Sequence, residues 1–256
     1  MSSDPAAHKD TVMQVGILLK DFLKFLLKPG YSLREVPLRL RAVAGLFLVL
    51  SLLRLGTVIA DAWLIRPLAQ LLTQQDLARQ TVYSTEFLEI ILGSLFMAPL
   101  IEELAYRWGL RFSPVRTAVS LGLVVFYWLP FGGTYSTNIL QVLNQPGFYL
   151  MVIMASVAGL TVYALLKVPL LAITFRHRWE QYFGTIFYVS SLLFGFMHIF
   201  NVKELTGSVI LLAPFITIQQ VVFGLFNGYV RVRFGFLHAV LQHALFNLVA
   251  LLLVYW

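Results

Sequence analysis

Two carboxylates able to do acid–base chemistry and a cation to balance charge fall together in one apolar run, MAPLIEELAYRWGL (97–110): Glu102, Glu103 and Arg107. Glu103 and Arg107 are four apart, so on a helix they share a face and can form a charge-assisted pair. Glu102 then points about 100° away, free for another task. Two carboxylates against one arginine leave a negative charge unbalanced unless a proton is retained or a histidine helps. Histidines do follow. LLFGFMHIFN (192–201) places Phe194 and His198 on one helical face, and LHAVLQHALFN (237–247) aligns His243 with Asn247, His238 lying about 140° off that line. Carboxylates and imidazoles are the groups of general acid–base hydrolysis, and a His and an Asn on one face can aim two donors at one point. Each piece has a bland alternative. Glu-Glu-x-x-x-Arg is common on soluble helices, a lone helical histidine is more often a packing residue, and an interhelical polar clamp averages about 0.6 kcal/mol. No His-Glu-x-x-His, phosphate-binding loop or Gly-x-Ser-x-Gly elbow is present.

The surroundings give these residues their weight. The chain has 256 residues, of which 59% are hydrophobic and 12% charged, with mean hydropathy +0.80. A soluble domain has about 45–50% apolar and about 25% charged residues, so this chain must sit in lipid. That excludes a cytosolic enzyme, a secreted disulfide scaffold and a disordered chain. Without cysteine there is no thiol nucleophile and no thiolate metal site. An ionisable group in hydrocarbon costs at least about 2.5–3.5 kcal/mol on insertion scales, so each one asks for an explanation. Arg54 and Asp61, seven apart on the first apolar stretch, are expected to pair with each other or with neighbouring helices. Glu86 and Glu89 open the second, where a helix N-terminus favours carboxylates.

The elements that must position the site are helices. Seven stretches are long and apolar enough to span: 42–64, 87–111, 115–131, 148–173, 182–202, 208–230 and 234–256. The expected fold is all-α, a polytopic membrane helix bundle of about seven transmembrane helices. Residues 1–40 form a cytoplasmic tail, and 41–256 a single transmembrane domain. Within the tail, 11–28 carries Lys20, Lys24 and Lys28 as a cationic stripe beside a broad apolar face, an interfacial amphipathic helix stopped by Pro29-Gly30. Basic residues crowd the N-terminal segment and alternate loops (Arg111 and Arg116; Arg176 and Arg178; Arg231 and Arg233). This bias puts the N-terminus in the cytoplasm, and it reads the net charge of +7 as topology, with no nucleic-acid partner. At about 1.5 Å per residue, Glu102 lies about 15 Å, His243 about 14 Å, Asn247 about 20 Å and His198 about 24 Å from the cytoplasmic end of its span, close enough for tilt or a Pro99 kink to bring them together.

The ordered set EELAYR (102–107), FGFMH (194–198) and HALFN (243–247) resembles the CPBP family, the CAAX-protease and bacteriocin-processing (Abi) intramembrane endopeptidases. The family pattern is Glu-Glu-x-x-x-Arg, Phe-x-x-x-His and His-x-x-x-Asn/Asp. The lead-ins SSLLFGFMH (190–198) and GLFNGYVRVRFGFLHAVLQHALFN (224–247) extend the resemblance over roughly 86–250. One departure is that two whole stretches, 115–131 and 148–173, separate the first two motifs where the family has a short connection. An even number of inserted helices preserves the relative orientation of the motif helices and bears instead on substrate access.

The resemblance implies a glutamate-type intramembrane protease for peptide or membrane-protein substrates, in a prokaryotic plasma membrane. Glu102 would be general base and His198 would hold the same water. His243 and Asn247 would be oxyanion donors, Glu103 and Arg107 would set geometry and charge balance, and Phe194 would pack beside His198. No cofactor is the first expectation. A zinc ion held by Glu102, His198 and His243 is the competing one, since two histidines and a glutamate serve several zinc hydrolases. A non-catalytic regulatory or bacteriocin-immunity protein is the alternative function. A transporter is disfavoured because no inverted repeat is visible.

Overall fold

A computed structural model describes residues 5–31, 40–74, 91–129, 143–202 and 204–255. Glu86, Glu89 and most of the 132–147 connection lie outside the described residues. Helices run as α1 (Pro5–Leu27), α2 (Leu40–Ala60), α3 (Arg66–Thr73), α4 (Ala98–Tyr106), α5 (Pro114–Trp128), α6 (Pro146–Lys167), α7 (Pro169–Gln181), α8 (Phe183–Met197), α9 (Gly207–Leu211), α10 (Ala213–Ile216), α11 (Ile218–Phe234) and α12 (Phe236–Tyr255). The protein is thus an all-α bundle. Three stretches are long and apolar enough to cross a membrane, Phe47–Thr73, Pro146–Lys167 and Phe183–Asn201, and it is an integral membrane protein. Shorter apolar helices are Pro114–Trp128 and Phe236–Val249.

Local chemistry sets the starts. Proline opens α5, α6 and α7, where its missing N–H costs nothing. Ser113 caps α5 by accepting from the Arg116 N–H at 3.1 Å. Stretch 208–230, expected as one span, is broken into α9, α10 and the start of α11. Pro214 has no N–H for the carbonyl one turn back, so the helix resets there. Gly235, at φ 105°, makes the turn that folds α12 back from α11.

Of the two alternatives for Arg54 and Asp61, pairing with each other or with neighbouring helices, the structure shows the second. A π-helical turn, Asp61–Ile65, joins α2 to α3, and its i→i+5 register stacks residues five apart. Asp61 therefore pairs with Arg66 at 2.8 Å. The Arg54 guanidinium lies 4.0 Å over the Phe246 ring of α12.

The N-terminal helix is built into the bundle. Phe22 and Phe25 belong to the main core, packing on Phe226, Tyr229 and Phe187, while Asp21 accepts from Tyr229 at 2.8 Å and Arg233 at 3.2 Å. Lys20, Lys24 and Lys28 stay exposed.

The inserted helices α5 and α6 pack against each other through small residues, as membrane helices do. A Cβ on Gly122 would stand 2.8 Å from the Ala155 carbonyl oxygen, and one on Gly159 would stand 3.2 Å from that of Ala118. Gly122→Val is accordingly expected to lower the melting temperature in detergent by several degrees, at about 1–3 kcal/mol for overpacking. An unchanged transition would contradict this contact.

Candidate active site

The first motif occupies α4. Glu103 is fully buried, its carboxylate 3.3 Å from Arg107 Nη1, and it accepts a hydrogen bond from His243 Nδ1 at 2.9 Å. The i,i+4 pair expected from spacing is therefore present, and α12 brings His243 to it. A carboxylate can only accept, so His243 carries a hydrogen on Nδ1, and it turns Nε2 toward Glu102, 3.8 Å from Oε2. Glu102 is the more open of the two carboxylates, with 13% of its side chain exposed against none for Glu103.

Phe194 sits at the centre of the remaining groups. The Arg107 guanidinium lies 3.7 Å above its ring, His198 meets it edge-on at 4.9 Å and His243 edge-on at 6.1 Å. It is more than packing beside His198, because it seats the arginine by a cation–π contact. Arg107 fits there because residue 224 of α11 is glycine: a Cβ would come within 3.2 Å of both Nη2 and Phe194. His198 falls in the 3₁₀ turn after α8, where Nδ1 donates to the Phe194 carbonyl at 2.8 Å and Nε2 is left as the basic nitrogen. Asn247, one turn beyond His243, donates through Nδ2 to the Ser94 carbonyl at 2.8 Å. One of its two amide hydrogens is thereby committed to backbone.

Several buried polar atoms here have no hydrogen-bond partner among the described residues: Glu102 Oε2, Glu103 Oε2, Arg107 Nη1 and Nη2, Asn227 Oδ1 and Gln242 Nε2. Groups of this kind cost about 1–3 kcal/mol each when unsatisfied, and clustered polar groups call for water or a polar ligand. An apolar cavity of about 850 Å³ between α4, α5 and α6 is a separate feature. Ile101 and Leu104 line it, and helical geometry turns Glu102 and Glu103 each about 130° from that face.

Among the described residues no three histidine, aspartate or glutamate side chains are disposed to share an ion, so Glu102, His198 and His243 are not drawn together as ligands.

Sequence reasoning missed Asn227, buried beside Glu103 and donating to the Ala239 carbonyl at 3.0 Å. It is a polar residue inside the apolar run GLFNGYV, and the burial cost applied to Glu102 would have flagged it. It also missed Tyr106, whose hydroxyl donates to Met197 Sδ at 3.4 Å and accepts from Trp128 of the inserted α5 at 3.2 Å. The insertion is thus tied to both motif helices. No signal in the sequence pairs those residues.

The family comparison covers this constellation. An all-helical membrane bundle joins a buried Glu–Arg–His cluster, and a family model described as Rce1-like, type II CAAX prenyl endopeptidase, matches residues 84–249. The chain belongs to this Rce1-like family of CAAX endopeptidases, and so to a family of proteases. The match spans all three motifs and the α5–α6 hairpin between the first two. Neither the curated proteins nor the solved structures provide a match.

Proposed function

We propose that the protein hydrolyses peptide bonds within the membrane, using a water activated by Glu102. The observation that carries this reading is a buried Glu102 oxygen without a hydrogen-bond partner among the described residues, facing His243 Nε2 at 3.8 Å, beside a second carboxylate whose charge Arg107 already balances. A gap just over hydrogen-bond length between two polar atoms is where a bridging water belongs. Glu102 takes a proton from that water as its oxygen attacks the scissile carbonyl, then returns the proton to the leaving amine. His198 Nε2 accepts from the same water. His243, carrying a hydrogen on Nε2 as well as on Nδ1, and the uncommitted amide hydrogen of Asn247 donate to the tetrahedral oxyanion, where one such donor is worth about 2.7–4 kcal/mol. Glu103 fixes the orientation of the His243 ring by accepting from Nδ1.

The substrates of this reading are peptides or tails of membrane proteins. The place is a prokaryotic plasma membrane with the N-terminus in the cytoplasm, supported by the loop charges. No nucleic acid is involved. The test is cleavage of a fluorogenic CAAX-type peptide by the purified chain in nanodiscs. Activity is expected to survive exhaustive chelation, with no stoichiometric metal by elemental analysis. Loss on chelation and recovery with zinc would overturn the metal-free mechanism. An unchanged biological effect of Glu102→Gln in cells would favour the regulatory alternative.

A further inference from the structure

Asn247 makes its hydrogen bond to an unusual acceptor, the main-chain carbonyl of a residue inside a helix. Such carbonyls ordinarily accept from an N–H of their own helix. The reason lies in the register of the segment leading into α4. Residues Leu92–Met97 are π-helical, and the Ala98 N–H bonds to the Gly93 carbonyl, five residues back. The next bond in that register would run from residue 99 to the Ser94 carbonyl, and residue 99 is proline, which has no N–H. Ser94 O is left without its intrahelical partner at a depth where water is scarce. In membranes such a freed group is satisfied by a neighbouring helix. Asn247 Nδ2 reaches it at 2.8 Å. Ser94 stands nine residues before Glu103, and Asn247 four after His243, so this contact and the Glu103–His243 hydrogen bond tie α12 to the segment 92–106 at two points.

We infer that Pro99 is a positioning residue for Asn247: by withholding an N–H from Ser94 it creates the acceptor that fixes the Asn247 amide, so that the second Nδ2 hydrogen is aimed in one direction. The π turn and the proline act as a unit. A plain α-helical segment would consume the carbonyl and leave the amide free to rotate. The orienting contact holds whatever the chain's activity; its catalytic consequence rests on the oxyanion role proposed for Asn247.

The test is Pro99→Ala in the full chain, in nanodiscs, combined with Asn247→Leu in a double-mutant cycle. Alanine restores the N–H, so Pro99→Ala is expected to raise the melting temperature while lowering kcat about tenfold and leaving KM within about twofold, at 1.36 kcal/mol per tenfold. A residue of merely structural value would lower both. Asn247→Leu is expected to lower the melting temperature in the Pro99 background and to cost less than half as much in the Pro99→Ala background, where the carbonyl already has a partner. Equal costs in the two backgrounds would overturn the proposal. So would unchanged kcat in Pro99→Ala of an active chain. If the wild-type chain cleaves nothing, the peptidase reading fails and the stability cycle, which needs no substrate, still decides this one.

Discussion

Glu102→Gln is expected to lower kcat by about 10²–10⁴-fold, the range assigned to a positioned general base, while leaving KM and the melting temperature close to wild type. Glutamine keeps the size and hydrogen-bonding reach of the side chain and removes only its ability to take a proton. Folding should tolerate the change, since Glu102 Oε2 has no hydrogen-bond partner among the described residues and stands 3.8 Å from His243 Nε2, beyond hydrogen-bond length. Stopped assays on matched amounts of folded protein measure it. Activity within threefold of wild type would take the base role from Glu102. Glu103 would be a poor substitute, because its charge is balanced by Arg107 and its oxygen is already bonded to His243.

Arg107→Met is expected to have the largest effect on stability. The guanidinium is 1% exposed and Glu103 is wholly enclosed, so removing the cation leaves a carboxylate with no balancing charge in the bundle interior. Breaking one side of a buried pair costs about 3–5 kcal/mol, enough to unfold a marginal membrane protein or to prevent its accumulation. Methionine fills much of the volume, which isolates the charge. Glu103→Gln in the Arg107→Met background is expected to recover a large part of the loss, and thermal unfolding of the purified variants measures both. Arg107→Lys should recover less than full stability, because an ammonium cannot lie flat on Phe194 as the guanidinium does at 3.7 Å. A wild-type melting temperature for Arg107→Met would show that the pair carries no load.

Much of the site could be read from spacing. Glu103 with Arg107, and His243 with Asn247, are i,i+4 pairs, and the 3.6-residue period placed each on one face before any contact was known. That His243 bonds to Glu103, while its other nitrogen turns to Glu102, was not legible, since it depends on the rotation of α12 against α4. What spacing left open shares a physical origin. Arg54 and Asp61 could pair with each other or with neighbouring helices, and a π turn decides for Asp61 by bringing Arg66 to it. Spacing offers Asn247 as a donor, and a second π turn, Leu92–Met97, followed by Pro99, draws one of its two hydrogens to the backbone. An inserted i→i+5 turn leaves no compositional mark, because it is stabilised by the neighbours it contacts rather than by its own residues. The sixth stretch was hydrophobic enough for one span, yet Pro214 cut it, and hydropathy averages are blind to a missing N–H.

The clasp between Asp21 and the Tyr229–Arg233 pair has a bearing on how the chain is made. Those partners are 208 and 212 residues apart. At about 5–20 residues per second of synthesis, α1 leaves the ribosome roughly 10–40 s before the helix that receives it exists. Through that interval Phe22 and Phe25 lack the α11 rings, Phe226 and Tyr229, that cover them in the folded protein. A helix bearing lysines on one side and aromatic rings on the other can wait at a lipid surface, rings down, and exchange lipid for α11 once that helix is inserted. The amphipathic character of α1 then serves assembly, holding the first segment made until the later one arrives.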